Sequence, residues 1–563
     1  MISLPSRTLP FLLKNSAEQY GERRALSTIG GKTYTYADLY RTVTALSRLL
    51  HDRGVIFGDR VAILGENSPE WGIAYFAVTS MGAVAVPILP EFHPTEIHHI
   101  LRHSDAKVLF VSKKFLSKAE EDLPASVTTV ITIDDLTVRQ PSGGGNLLAV
   151  IMQQGEQEFS KMKEAALRFL GKLPDEVTAE TLAAIVYTSG TTGHSKGVML
   201  THGNIVSDVA ATTWLVDLNK EDRLLSILPL AHTYECTLGL CTALAVGANV
   251  NYLDRLPTPS ALLPAMKEVR PTVMLSVPLV IEKIFKTRIH PQLTGSFLKR
   301  RLQAIPFLRK RINRIAGKRL LHSFGGELRL FCIGGAPLAP DVEQFLREAH
   351  FPYAMGYGLT ETAPLVAGTD QKTTRYRSTG KPLFETEIRI LHPDPATGEG
   401  EIVIKGPTVM RGYYKDEERT AATFTSDGWF KSGDLGVFDK DGYLYIKGRS
   451  KNMILGANGK NIYPEEIESI INEWDLVLES LVFEKEHQIA ARVFLDYDKI
   501  EQMTEGNGSS ESRTRERIAE LLNDLRQQFN DRLPSYVRIA EVLEQTEPFE
   551  KTPTLKIKRH LYT

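Results

Sequence analysis

Hydrophobic positions near the start of the chain first recur with helical spacing and then form a short continuous run. Between residues 36 and 50 they return every three or four positions, the spacing of one face of an α-helix. These positions are Tyr36, Leu39, Val43, Leu46, Leu49 and Leu50. The run RVAIL at 60–64 predicts a buried strand, and residues 67–82 predict a second helix with Ser68 as its N-cap.

The alternation of strand and helix continues along the chain. The runs AVAVPI (83–88) and AKVLFV (106–111) predict two more strands with a helix between them. Further strands are predicted at 183–187, 273–277, 328–333 and 401–406. Strands that alternate with helices are typical of βαβ units and of mostly parallel sheets. The predicted fold class is α/β, with a large N-terminal domain of several subdomains.

The composition of the chain changes near residue 440. KDGYLYIKGRSKNMI is followed by a short charged region up to Thr563, with a helix predicted at 463–473 and Pro464 in its first turn. The polar stretch EGNGSSES at 505–512 predicts a loop. We therefore predict a small C-terminal α+β domain over 450–563, and an N-terminal domain over 1–449.

Composition and charge limit the function classes. The 563 residues are 42% hydrophobic and 24% charged, as in ordinary globular proteins, and the net charge of −1 gives no general attraction to nucleic acid. The longest apolar stretch, 75–89, is too short to span a bilayer, and no signal peptide is evident. Three cysteines without CxxC spacing favour a reduced, cytoplasmic protein without a cysteine metal site.

One segment departs from this neutral balance. Residues 299–319, KRRLQAIPFLRKRINRIAGKR, are strongly basic. They could form the solvated face of one or two helices. Alternatively they could contact anionic lipid on the inner face of a membrane, or a phosphate-rich ligand.

The stretch IVYTSGTTGHSKGVMLTHGNI at 185–205 predicts a phosphate site. Its apolar start is followed by glycines and hydroxyl residues, whose backbone N–H and side-chain O–H groups bind anions. We expect a strand, a glycine-rich loop and a helix in that order, as at other phosphate sites. The spacing around Lys196 is not that of a Walker P-loop, and a plain surface hairpin is the alternative.

This stretch and six later blocks resemble, in order, the AMP-forming adenylating superfamily of acyl-CoA synthetases, peptide-synthetase adenylation domains and luciferases. The six are LPLAHTYE (228–235), CIGGAPL (332–338), GYGLTETAP (356–364), FKSGDLG (430–436), YIKGRSKN (445–452) and PFEKTPTLKIKR (548–559). The resemblance implies that a carboxylate and ATP form an acyl-adenylate and pyrophosphate, and that a thiol then releases AMP. ATP, Mg²⁺ and coenzyme A are the implied cofactors.

The resemblance also implies roles for individual residues. Lys556, His232 and Glu361 are the expected catalytic residues, and Glu361 and Thr188 the expected Mg²⁺ ligands. Asp434 and Arg449 would hold the ribose, Tyr357 would stack on adenine, and Lys451 would be the hinge of a mobile small domain. The remaining expected ATP and coenzyme A contacts are Thr188, Ser189, Gly190, Thr191, Thr192, Gly193, Lys196, Gly334, Gly335, Ala336, Gly356, Gly358, Thr360 and Gly459.

The C-terminal block departs from the family pattern at one position. Leu555 replaces the glycine that usually precedes the catalytic lysine, which puts the local backbone shape in question. Lys558 is the competing candidate for the role of Lys556.

The substrate class follows from an apolar segment. Residues 228–244 are rich in apolar and small side chains, which favours an alkyl chain over a charged substrate. Together with the long segment 282–327, they resemble long-chain fatty acyl-CoA synthetases. The alternatives are a fatty acyl-AMP ligase that transfers to an acyl carrier protein, and a non-catalytic sensor that binds nucleotide or acyl chain.

Overall fold

A computed structural model describes residues 4–139, 177–188, 195–255, 257–455, 461–504, 511–533, 537–552 and 556–563. Its α-helices are α1 (Leu9–Tyr20), α2 (Tyr36–Asp52), α3 (Pro69–Ser80), α4 (Pro94–His103), α5 (Leu116–Glu120), α6 (His202–Leu215), α7 (Thr242–Ala245), α8 (Pro259–Val269), α9 (Pro278–Ile284), α10 (His290–Thr294), α11 (Phe297–Ala304), α12 (Pro306–Ser323), α13 (Pro340–Glu348), α14 (Glu417–Thr423), α15 (Pro464–Ile471), α16 (Tyr497–Thr504) and α17 (Glu511–Arg532). Two π-helical segments, Tyr234–Cys241 and Phe285–Ile289, precede α7 and α10. Within the described ranges, none of the helices has both the length and the hydrophobicity that crossing a bilayer requires.

The strands form two large sheets and three small ones. In chain order they are β1 (Arg24–Thr28), β2 (Thr33–Thr35), β3 (Arg60–Leu64), β4 (Val84–Ile88), β5 (Val108–Val111), β6 (Thr129–Thr132), β7 (Thr137–Arg139), β8 (Leu182–Thr188), β9 (Lys196–Thr201), β10 (Arg223–Ser226), β11 (Asn249–Tyr252), β12 (Val273–Ser276), β13 (Leu330–Ile333), β14 (Tyr353–Gly358), β15 (Leu365–Gly368), β16 (Lys381–Pro382), β17 (Glu387–Leu391), β18 (Gly400–Lys405), β19 (Gly412–Tyr413), β20 (Phe430–Phe438), β21 (Leu444–Arg449), β22 (Ile454–Leu455), β23 (Asn461–Ile462), β24 (Val477–Lys485), β25 (Gln488–Leu495) and β26 (Ile539–Gln545).

Both large sheets are parallel in their centres. One has the order β16-β15-β14-β13-β12-β10-β11-β1-β2 and is parallel from β14 to β1. The other has the order β19-β9-β8-β4-β3-β5-β6-β7 and is parallel from β8 to β6. Antiparallel pairs occur only towards the edges of these two sheets, among the residues described. The predicted mostly parallel α/β fold is confirmed.

The helix α3 lies in the core between the two sheets. It connects β3 to β4 of the eight-stranded sheet, and all twelve of its residues are buried. On its other side, Gly72 lies against Leu26 of β1 in the nine-stranded sheet. A helix that is apolar all round has no solvent face, which explains why this segment is buried on every side.

Most predicted elements occupy the predicted residues. The run RVAIL is β3, and the Ser68 hydroxyl accepts a hydrogen bond from the Trp71 N–H at 3.1 Å as the N-cap of α3. The local signals succeed here because a cap and a buried run depend on neighbouring residues only.

A separate C-terminal region follows β21. An antiparallel sheet of β17, β18, β20 and β21 precedes it, and its own sheet has the order β24-β25-β26. Its apolar cluster includes Ile467, Val493 and Phe529 and is distinct from the N-terminal core. The boundary between 449 and 450 stays a prediction. The helix predicted at 463–473 is α15, with Pro464 at its first position.

Several polar contacts join this region to the N-terminal one, among them a hydrogen bond from the Tyr463 hydroxyl to the Glu399 carboxylate at 2.6 Å and an ion pair of Lys447 with Glu466 at 3.3 Å. The His290 ring pairs with the Asp475 carboxylate at 3.4 Å, which raises the pKa of the imidazole. The Lys286 ammonium donates to the Asn472 carbonyl. In the chain, Lys286 and His290 both lie in the connection between β12 and β13 of the nine-stranded sheet.

A buried carboxylate ties together three strands of that sheet. Asp222, just before β10, accepts from the Thr272 hydroxyl at 2.7 Å and from Arg329 Nε at 2.8 Å. Thr272 precedes β12 and Arg329 precedes β13, so one side chain aligns the amino ends of three neighbouring strands. The carboxyl ends of these strands are aligned in consequence.

We expect Asp222→Ala to lower the free energy of unfolding by about 3 kcal/mol, because it leaves the Arg329 guanidinium without its buried counter-charge. The midpoint of urea unfolding measures this change. Asp254→Ala is the control, since the Asp254 carboxylate is half exposed and pairs with Arg255, its neighbour in the chain. The control should change stability by less than about 0.5 kcal/mol. Equal midpoints for the two variants would contradict the structural role of Asp222.

Candidate active site

The predicted motifs lie at the carboxyl ends of central strands. Thr188 ends β8, the block 228–235 follows β10, Gly334 follows β13, and Gly358 ends β14. Ligands of parallel α/β sheets bind at this edge, because the strand ends leave a crevice there. The two sheets meet at this crevice through side chains of β9 and of the segment after β14.

The glycine-rich loop connects two antiparallel strands. Thr188 of β8 lies opposite Lys196 of β9, and α6 begins only after β9, at His202. The expected order of strand, loop and helix is therefore wrong. The alternation of apolar positions in KGVMLT matches a strand, and the register brings Thr188 and Lys196 together at the base of the loop.

Lys196 and Glu361 form an ion pair between the two sheets. Lys196 Nζ lies 2.6 Å from Glu361 Oε1 and 2.8 Å from the Tyr413 hydroxyl, and that hydroxyl donates to the same Oε1 at 2.9 Å. Burial by itself would raise the pKa of Glu361, but the Lys196 charge and its hydrogen bond outweigh burial and lower it. Glu361 is therefore ionised at neutral pH.

The Glu361 and Thr188 side chains fit a Mg²⁺ ion. Mg²⁺ takes one or two carboxylates together with phosphate oxygens and waters. The hydrogen bonds to Glu361 go to Oε1. Thr188 Oγ1 is buried and has no hydrogen-bond partner within the described residues. No group of three or more His, Cys, Asp and Glu side chains is arranged for a metal in the described ranges, so these residues alone would not enclose an ion.

Asp434 lies at the centre of a second polar cluster. Its Oδ2 accepts from the Tyr357 hydroxyl at 2.7 Å, and its Oδ1 pairs with Arg449 Nε at 2.9 Å. Asp434 and Arg449 are direct neighbours across β20 and β21. Burial raises the pKa of Asp434, and the Arg449 charge and the Tyr357 hydrogen bond oppose that rise. The sequence prediction that these three residues share one site is consistent with this geometry, but their roles stay predictions.

The glycines near this cluster leave space that side chains would fill. A Cβ on Gly358 would lie 1.8 Å from the Pro364 carbonyl oxygen, so no other residue fits there. Gly335 has a left-handed backbone with φ of +88° and is exposed together with Ala336, whereas Gly334 is buried beside the Tyr234 ring. Gly356 lies in β14, and Thr360 begins the short 3₁₀ turn that carries Glu361.

His232 is neutral at physiological pH. Burial lowers its pKa to about 4, with a smaller contribution from the charge of Lys556. Its Nδ1 accepts a hydrogen bond from the Tyr234 N–H at 3.2 Å, so the ring proton resides on Nε2. The ring therefore presents a neutral N–H donor.

Lys556 reaches the same crevice from the C-terminal region. Burial of its ammonium and the charge of Arg449 lower its pKa, while Asp434 and Glu361 oppose that shift. More than a third of the residue surface is nevertheless open to solvent, so the crevice around it is crowded but not closed. Lys558, the competing candidate, instead pairs with Glu550.

Some predicted residues lie outside the described residues, and one lies between the two regions. Those outside are Ser189, Gly190, Thr191, Thr192, Gly193, Gly459 and Leu555. Lys451 is exposed in the 3₁₀ turn Ser450–Asn452, which connects β21 to β22. Its hinge role stays a prediction.

Tyr413 is a site residue that the sequence analysis missed. It contacts both Lys196 and Glu361, and β19 places it beside β9. The only signal for it in the sequence is the run GYY at 412–414, in which two adjacent tyrosines follow a glycine.

Comparisons with known proteins identify the family. The family described as AMP-binding enzyme matches residues 13–414, more than half of the chain. A long-chain-fatty-acid–CoA ligase, FadD15 of Mycobacterium bovis, is 31% identical over 84% of this chain and 79% of its own length. A feruloyl-CoA synthase of an Amycolatopsis species is 32% identical over 78% of each chain.

The fold is also that of a solved ligase. The O-succinylbenzoate coenzyme A synthetase (MenE) of Bacillus subtilis, in complex with ATP and magnesium ion, superposes with a TM-score of 0.72 and 24% identity over 98% of both chains. That likeness extends through the small C-terminal domain. The chain therefore belongs to the AMP-binding enzymes, the AMP-forming adenylating superfamily indicated by its motifs, and is an ATP-dependent ligase of an acid and coenzyme A.

Proposed function

We propose that this ligase activates long-chain fatty acids. In the first step the fatty-acid carboxylate oxygen attacks the α-phosphorus of ATP, and pyrophosphate leaves with the electrons of the broken P–O bond. In the second step the coenzyme A thiolate attacks the acyl carbon, and AMP leaves. The products are acyl-CoA, AMP and pyrophosphate.

The observation that carries this proposal is the character of residues 228–244. Glu235 is the only Asp, Glu, Lys or Arg in the segment, and burial raises its pKa to about 8. At neutral pH it is mostly protonated, so it offers no negative charge to an amino-acid ammonium group. Side chains of this segment, among them Ala231, Cys236 and Thr237, line a mostly apolar cavity of about 10 Å³, which holds no more than one water molecule, so an alkyl chain would enter only if these side chains move apart. An apolar surface rewards a longer alkyl chain by roughly 0.8 kcal/mol for each buried methylene.

The relatives support a coenzyme A ligase, and their names suggest two classes of acid as its substrate. One relative is named for long-chain fatty acids and another for ferulate, at almost the same identity. Ferulate carries an aromatic ring with polar substituents, and its site would need partners for them. The buried aliphatic and small side chains of 228–244 favour the fatty acid.

Four side chains would act on the adenylation step. The Lys556 ammonium would lie between the acid carboxylate and the α-phosphate, where it reduces their repulsion and stabilises the charge of the transition state. The neutral His232 would donate its Nε2 proton as a hydrogen bond towards the acid. Asp434 and Arg449 would orient the ribose.

The phosphate side of the site would hold the metal. Glu361 and Thr188 would bind Mg²⁺, which when bound neutralises phosphate charge. Lys196 and the residues from Ser189 to Gly193 would contact the β- and γ-phosphates. Rotation of the small domain about Lys451 would then remove Lys556 and bring Gly459 to the path of the coenzyme A thiol.

A substrate panel tests the proposal. We expect the purified protein with ATP and Mg²⁺ to release AMP in a coenzyme A-dependent manner, with the highest kcat/KM for saturated acids of long chain in a series from acetate to palmitate. Ferulate and an amino acid complete the panel. A maximum with ferulate would exclude the fatty-acid assignment. Pyrophosphate release that does not respond to coenzyme A would indicate transfer to a carrier protein.

Lys556→Ala should separate the two half-reactions. We expect acyl-adenylate formation to fall by about 10²- to 10³-fold, the loss typical of one group that stabilises transition-state charge. Conversion of supplied acyl-AMP and coenzyme A to acyl-CoA should stay within about threefold, because the proposed rotation of the small domain removes Lys556 from the site before the thiol attacks. Lys558→Ala is the matched control and should leave both rates near wild type. A similar fall in both half-reactions of Lys556→Ala would reject this role.

Asp434→Ala should weaken the use of ATP. Loss of hydrogen bonds to a charged group removes about 1.5–3 kcal/mol, so the KM for ATP should rise about ten- to 100-fold with little change in the KM for the acid. Asp441→Ala is the control, because Asp441 is a carboxylate at the surface that pairs with Arg375. An unchanged KM for ATP in Asp434→Ala would rule out the ribose assignment.

A further inference from the structure

An exposed hydrophobic cluster lies on the helical hairpin of α11 and α12. Its side chains are Phe297, Leu298, Ile305 and Phe307, with 66%, 68%, 50% and 68% of their surfaces exposed. Single exposed apolar residues are ordinary, but four large ones within eleven positions form a patch that is unusual unless something covers it. We call this patch the hairpin tip.

The exposed face of α11 differs from its partly buried face. Phe297 and Arg301 of α11 lie one turn apart and are exposed, and exposed Ile305 follows the last residue of the helix, whereas Leu302 and Gln303 are partly buried. The outward orientation of the tip therefore belongs to the folded hairpin.

The longer helix α12 is anchored firmly along its inner face. Arg309 forms a bidentate ion pair with Glu348 of α13, in which Nε and Nη2 each lie within 3.1 Å of a carboxylate oxygen. Asn313 donates to the same carboxylate at 2.8 Å. Further along, a Cβ on Gly317 would lie 2.6 Å from the Ala349 Cβ, which shows how closely the two elements approach.

The segment that carries the hairpin tip is rich in lysine and arginine and contains no acidic residue. Residues 283–326 contain twelve lysines and arginines and no aspartate or glutamate, in a chain whose net charge is −1. The guanidinium groups of Arg301 and Arg311 lie over the exposed rings of Phe297 and Phe307. Their Cζ atoms are 4.8 and 5.7 Å from the respective ring centroids. The other exposed cations of the hairpin are Lys299, Arg300, Lys310, Arg314, Lys318 and Arg319.

We propose that the hairpin of α11 and α12 is a membrane-binding element whose tip enters the headgroup region of an anionic bilayer. Exposed phenylalanine and leucine side chains suit the boundary between headgroups and acyl chains. Arginine and lysine suit the lipid phosphates just above it, since their long stems can follow the apolar surface while the charge stays in the polar layer. A surface that only needed solvation would carry the cations without the four apolar side chains.

The position of the hairpin relates membrane binding to the crevice. The hairpin is part of the connection from β12 to β13, and Gly334 of the candidate active site directly follows β13. Near the start of this connection, Glu282 of α9 accepts a hydrogen bond from the Ala339 N–H at 2.8 Å, and Ala339 lies close in the chain to residues 334–336 of the candidate active site. A membrane-bound hairpin would therefore hold the crevice near the bilayer. This proposal does not depend on which acid is the substrate.

Flotation with vesicles tests the proposal. In 0.1 M NaCl, the full-length protein should float with vesicles of phosphatidylcholine containing 30% phosphatidylglycerol, and about tenfold less with phosphatidylcholine alone. The triple variant Phe297→Ser, Leu298→Ser, Phe307→Ser keeps every cation and should lose about tenfold in binding to the anionic vesicles. The triple variant Arg300→Glu, Arg301→Glu, Arg311→Glu should lose at least as much.

The matched control is Ile56→Ser, which removes an apolar side chain that is 59% exposed outside the hairpin and should bind like wild type. Urea midpoints check that the exposed substitutions leave folding unchanged. An environment-sensitive dye on Leu298→Cys should shift its emission to the blue with anionic vesicles, whereas the same dye on Ile56→Cys should not.

Three results would overturn the proposal. The first is equal flotation with neutral and anionic vesicles. The second is wild-type binding by the serine triple variant, because binding would then be electrostatic only, without insertion. The third is no vesicle binding together with a dimer that the serine triple variant dissociates, because the tip would then be an interface between two copies of this chain.

Discussion

The ion pair between Lys196 and Glu361 is the contact on which the site depends. Lys196 belongs to β9 of one large sheet, and Glu361 follows β14 of the other, so one buried charge pair joins both sheets at the edge where their strands end. Tyr413 completes the contact from β19. A buried carboxylate beside a lysine stays ionised, and this keeps a negative group next to a loop suited to phosphate.

The small domain contributes through its orientation. His290 and Lys286 contact Asp475 and Asn472, and in this arrangement the charge of Lys556 acts on Asp434, Glu361 and His232. These docking contacts are polar, and one of them is the partly exposed pair of His290 and Asp475. Polar interfaces of this kind can be exchanged for water at small free-energy change, as the proposed rotation of the small domain about Lys451 would require.

Local features of the site were predictable from the sequence, and its contacts were not. The strand at 60–64, the Ser68 cap and the clustering of Asp434 with Arg449 follow from short-range patterns or adjacent blocks. The partners of Glu361 are 165 and 52 positions away, and no periodicity connects them. The glycine loop shows the limit in the other direction: its composition predicts a phosphate site, which stays a prediction, and the antiparallel register of β8 and β9 replaced the expected helix.

By itself, the sequence determined the alternation of strands and helices, the family and the residue types available for chemistry, because period, cap and motif are properties of neighbouring residues. Only the tertiary structure decided how those residues are charged and which way they face. Glu235 is mostly neutral because burial raises its pKa more than a hydrogen bond with Ser226 lowers it, whereas Glu361 is ionised because the Lys196 charge and hydrogen bond outweigh burial. The basic segment likewise became a surface with an apolar tip only because α13 holds the inner face of α12, which leaves Phe297 and Phe307 in solvent.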